Sequence, residues 1–137
     1  MENKRKHLEF IQNTINRMVH GSFLMKSINV FMVSVLLIIG VIKNENQVIF
    51  LIGFLPVIVF WILDGFFLYQ ERLFRTLYDE VRMKNQDEID FSMDTKRFRG
   101  GRQSWWSSFW SGALWPFHGV LFLVVLIITL LAHYGIF

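Results

Sequence analysis

Val48–Tyr69 reads VIFLIGFLPVIVFWILDGFFLY, with Asp64 as its one acidic or basic side chain. At ~1.5 Å of rise per residue, these roughly 22 residues cover the ~30 Å hydrocarbon core of a bilayer. Two more runs, Ser22–Ile42 and Ser111–Phe137, are similarly apolar. The pattern predicts an all-α integral membrane protein with three transmembrane helices. The first run is the shortest: its dense part, Ile28–Ile42, supplies only about 15 residues against the usual ~20. It must extend back through Phe23 and Leu24, which leaves Lys26 near the interface, where its flexible stem reaches the headgroups.

The composition agrees. The chain has 137 residues, 53% hydrophobic and 17% aromatic, more apolar surface than one small soluble domain can hide. The absence of cysteine removes disulfides, thiolate metal sites and thiol nucleophiles. A cleaved signal peptide is not expected. The start, MENKRKHLEFIQNTINRM, is polar and helical in period, and no A-x-A-like site follows the first apolar run.

Basic residues set the orientation. Lys4, Arg5, Lys6, Arg17 and Lys26 precede or open the first run, and Arg72, Arg75, Arg82, Lys84, Lys96, Arg97, Arg99 and Arg102 lie between the second and third. The hairpin linker Lys43-Asn44-Glu45-Asn46-Gln47 carries only Lys43. Three crossings then put the N-terminus and residues 71–110 in the cytoplasm and the C-terminus outside. The chain divides into a cytoplasmic amphipathic helix (1–20), a transmembrane hairpin (21–70), a cytoplasmic helix with a basic loop (71–103), and an interfacial helix with the third transmembrane helix (104–137).

In the first of these, Leu8, Ile11, Ile15, Met18 and Val19 recur at helical spacing. Leu73, Phe74, Leu77, Tyr78 and Val81 form a matching stripe, and with no Gly or Pro after Tyr69 the second span continues as one helix to about Met83. The two stripes suit antiparallel packing. Periodicity fails over Asn85–Gln103, which reads as an exposed loop hinged at Gly100-Gly101. Its Lys96, Arg97, Arg99 and Arg102 suit either anionic lipid headgroups or a phosphate ligand. Next, Trp105, Trp106, Phe109 and Trp110 share one face of a short helix, with Ser104, Ser107, Ser108 and Ser111 opposite. That is an interfacial anchor beside a span; base stacking is the alternative use of such rings.

Asp64 and His118 fall at similar depth in the second and third spans. An intramembrane carboxylate costs about 2.5–3.5 kcal/mol on insertion scales and turns toward a partner or water. A contact with His118 would offset part of that cost, as interhelical glue or as part of a polar pore. Pro56 is placed to kink the second span and free a carbonyl. No nucleophile elbow, phosphate loop, HExxH or acidic calcium loop occurs, and the four histidines lack ligand spacing. Neither catalysis nor a metal nor a cofactor is expected.

Two patches, HLEFIQNTINRM at His7–Met18 and FWILDG at Phe60–Gly65 running into QERLFR at Gln70–Arg75, together resemble a group of small bacterial membrane proteins. The likeness covers roughly the first 85 residues and stops before the tryptophan-rich segment. Such proteins look like the compact membrane effectors of anti-phage and abortive-infection systems. The resemblance implies a homo-oligomer that forms or gates an ion leak on a cytoplasmic signal, with Asp64 lining or gating the opening. The trigger would be a cytoplasmic protein or a nucleotide; nucleic acid is not expected as a partner. The alternative is a non-conducting adaptor that holds a cytoplasmic partner at the membrane. No span carries a continuous polar face, so any pore would be narrow and gate by dewetting.

Overall fold

The computed structural model describes residues 2–43, 48–99 and 105–136. They form helices α1 (Glu2–Lys43), α2 (Val48–Ile52), α3 (Phe54–Arg82), α4 (Trp105–Phe109) and α5 (Trp115–His133), with no strand among the described residues. Three stretches, α1, α2 with α3, and α5, are long and apolar enough to cross a membrane. The linker residues 44–47, the Gly100-Gly101 hinge, Arg102 and Ser104 lie outside the described residues.

The sequence separates a cytoplasmic helix at 1–20 from a span that follows it, but α1 runs through that boundary as one helix of 42 residues. Its inward stripe explains why. His7, Ile11, Thr14, Ile15, Asn29, Val33 and Gly40 are buried on one face, at helical spacing from end to end. The change from polar to apolar occurs on the outward faces, where Lys6 gives way to Phe23 and Phe31. Nothing in it interrupts the backbone hydrogen bonds.

α1 lies antiparallel to α3. At one end Ile11 and Ile15 close on Leu77 and Val81; at the other Val33 meets Val57 of α3 and Val125 of α5. Glycine permits the closest approaches. A Cβ at Gly40 would lie 2.7 Å from the ring of Phe50, and one at Gly21 the same distance from Phe67. Pro56 does not kink the middle of a span. It sits buried in the first turn of α3, where a missing N–H matters little. The break comes earlier, at Gly53, whose N–H donates to Phe50 O at 3.1 Å. α5 begins at Trp115, with Pro116 in its opening turn, rather than at Ser111.

Residues 84–99 are not the free loop their composition suggests. Ile89, Met93 and Phe98 pack against the core of Ile11, Ile15, Leu77 and Val81, strapping the paired helices. Gln86 Oε1 accepts the Lys4 backbone N–H at 3.3 Å, and Arg97 pairs with Glu80 at 2.9 Å. Asp90 accepts the Ser92 N–H at 3.1 Å, which holds its carboxyl below the ordinary value. This bond therefore steadies the turn above the ordinary carboxylate range and is lost as acid takes the pH below the lowered pKa.

The latch is His7, fully buried, its Nε2 donating to Ser92 O at 2.9 Å and its ring 5.5 Å from that of Phe91. Phe91 takes a left-handed φ of 54° there. His7→Ala should loosen this strap by about 1–2 kcal/mol, the cost of one unmade hydrogen bond. Hydrogen exchange would then rise over 89–98 and stay unchanged in α5.

Candidate functional site

The polar groups converge where α1, α3 and α5 meet. Asp64 on α3 and His118 on α5 are both fully buried, with His118 Nε2 donating to Asp64 Oδ2 at 2.8 Å. α1 contributes a ladder of three residues one turn apart. Lys26 Nζ lies 2.6 Å from Asp64 Oδ2 and donates to Ser22 Oγ at 2.9 Å. Ser22 donates in turn to Asp64 Oδ1. Asn29, also fully buried, donates from Nδ2 to His118 Nδ1 at 3.1 Å.

The carboxylate thus receives an ammonium, an imidazole N–H and a hydroxyl, and its charge is matched by Lys26 within the same chain. Such saturation is what makes a charge tolerable away from water. His118 Nδ1 accepts from Asn29, so the proton sits on Nε2. Asn29 Oδ1 is buried with no partner among the described residues.

The path ends there. Beyond Asn29 the interior is closed by Val33, Val57 and Val125, backed by Leu37, Phe54, Leu121 and Phe122. Thr129, next along α5, spends its hydroxyl on Val125 O of its own helix at 2.7 Å. Among the described residues the chain has no continuous polar route from end to end.

Trp61 buttresses the cluster. Its ring stacks on Phe109 at 4.6 Å and 7° and on His118 at 5.8 Å and 14°, while its Nε1–H donates to Phe109 O at 2.9 Å. The tryptophan-rich α4 is held to α3 in this way, and its faces divide differently from the expectation. Trp106 and Trp110 are exposed (62% and 57%), but Trp105 and Phe109 turn inward and Ser108 on the supposed polar face is fully buried. α4 packs directly over Gly65, with Trp105 Nε1 3.4 Å and Phe109 Cα 3.6 Å from where a Cβ would stand, an ordinary contact distance.

Of the basic group, Lys96, Arg97 and Arg99 are exposed beside the strap, with Arg97 also over the Phe98 ring at 4.9 Å. They stand apart from the buried cluster. Comparison with protein-family models, with curated proteins and with solved structures finds no match to this chain.

Proposed function

We propose that the chain is an oligomeric effector of the bacterial inner membrane that gates an ion leak in response to a cytoplasmic signal, in the manner of anti-phage defence. One observation carries this reading. α1 and α3 run unbroken from the strapped helix pair to the Lys26–Asp64–His118 cluster, so a displacement at the strapped end is delivered as a rotation or slide at the cluster. A 42-residue helix is a lever of about 63 Å. The strap, with its buried His7 latch and exposed Lys96 and Arg99, is where a protein or nucleotide trigger would act. The cluster is the gate: closed while Asp64 is satisfied inside one subunit, open when α1 or α5 moves away.

Because valines block the interior of the single subunit, conduction would run between copies, along faces such as that of Phe23, Phe31 and Ile42. The basic asymmetry supports N-in, C-out topology, and a reporter fused to the C-terminus should behave as periplasmic. A cytoplasmic result would mean that one apolar helix does not cross. Mass measurement after detergent extraction should give a multiple of the 16.3 kDa chain; a monomer alone would defeat the leak.

A second reading, a non-conducting adaptor, is favoured by one feature: Asp64 is so fully partnered within its own chain that nothing is left to line a pore. Membrane potential separates the two. The effector depolarises cells when triggered or overexpressed, and the adaptor does not.

A further inference from the structure

Beside the cluster, on the outer side of α4, lies a groove of about 480 Å³ with wholly apolar walls. Ile58 and Trp61 of α3, Trp106 and Phe109 of α4, and Gly119 and Phe122 of α5 line it. Trp61 turns its N–H away to Phe109 O, so the groove meets only ring faces and aliphatic carbon. At its α4 edge stands a cation. Ser107, adjacent in sequence to Trp106, accepts from Arg72 Nη1 at 3.4 Å. Arg72 has no carboxylate within ion-pair distance among the described residues, and the neighbouring Glu71 is taken by Arg75 at 2.7 Å.

We infer that this groove and Arg72 form a binding site for one anionic phospholipid, its phosphodiester on Arg72 and one acyl chain in the groove. Two features on the molecule fit that occupant. Arg72 follows Trp61 on the same face of α3 by about three turns, or ~16 Å, which matches the ~15 Å hydrocarbon depth of one leaflet. The charge is complementary: an arginine fork without a carboxylate takes a phosphate in bidentate fashion. A zwitterionic headgroup brings its own cation to compete for that phosphate. The site abuts Trp61 and Phe109, which support His118, so an occupied groove would hold α4 against the cluster.

The inference rests on the membrane reading and not on the leak. Native mass spectrometry of the detergent-solubilised full chain, offered phosphatidylglycerol or phosphatidylcholine with the same acyl chains, tests it. Wild type should retain the anionic lipid several-fold more than the zwitterionic one. Arg72→Gln should abolish that preference. Gly119→Leu should remove retention of both lipids, because a Cβ at Gly119 would meet only Trp115, at 3.9 Å, and the added side chain fills the groove. Trp106→Ala, at an exposed position, should weaken retention even if Gly119→Leu proves poorly folded. Equal retention of the two lipids by wild type, or retention indifferent to Arg72→Gln and Trp106→Ala, would overturn the site. A failure of the membrane reading shows itself separately, as protein absent from the membrane fraction before extraction.

Discussion

Asp64→Asn is expected to destabilise the helical bundle by about 3 kcal/mol, and Asp64→Leu combined with Lys26→Met to restore part of that loss. Asparagine keeps an oxygen for Lys26 and His118 but removes the negative charge, stranding an ammonium whose side chain is only 22% exposed. That residual exposure places the effect at the low end of the range for breaking a buried pair. The double substitution deletes both charges in favour of apolar groups of similar length, but it leaves the buried His118 Nε2–H without its acceptor, so the recovery is partial. Unfolding in detergent, followed by circular dichroism, reads both. An Asp64→Asn variant as stable as wild type would mean that Lys26 relaxes freely to water and that the pair locks nothing.

The second large effect belongs to Trp61. Trp61→Ala should cost about 3–5 kcal/mol, through lost stacking on Phe109 and His118 and the void left between α3, α4 and α5. Trp61→Phe retains a ring but leaves Phe109 O without its donor, a loss of about 1 kcal/mol. The two variants therefore differ in extent and in kind. Trp61→Ala should also release α4, seen as rapid hydrogen exchange over 105–110, whereas Trp61→Phe should leave α4 in place. Equal losses from both would assign the whole effect to the hydrogen bond.

The three long apolar helices, the reach of α3 to Arg82 and the antiparallel stripes were legible because each depends on periodicity along a single element. The encounter of Asp64 with His118 was legible from depth counting alone. The α1 half of the cluster was not. Ser22, Lys26 and Asn29 stand at i, i+4 and i+7, a polar stripe on one face of an apolar helix. Lysine's long stem let Lys26 pass as a residue that snorkels to headgroups, although the same stem reaches inward to Asp64. Spacing on α1 held the signal; its direction was a property of the packed molecule.

The strap was hidden for another reason. Ile89 and Met93 stand four apart but Phe98 follows at five, so the three share neither a helical nor a strand period. Only the shape of the core they cover gives them a register. The inward turn of Ser108 likewise follows from the packing of α4 on α3, some forty residues away in sequence, and nothing local to α4 announces it.

If the Lys26–Asp64–His118 cluster is a gate, membrane potential in living cells reads it most directly. Wild type, Asp64→Asn and Asp64→Leu/Lys26→Met would be expressed at matched levels below wild-type toxicity and followed with a potential-sensitive dye. Weakening the closed state with Asp64→Asn should depolarise cells that wild type leaves polarised, and the double variant should return them toward the wild-type potential. Unchanged potential with all three, including wild type at high expression, would contradict the gate and leave the chain a non-conducting adaptor.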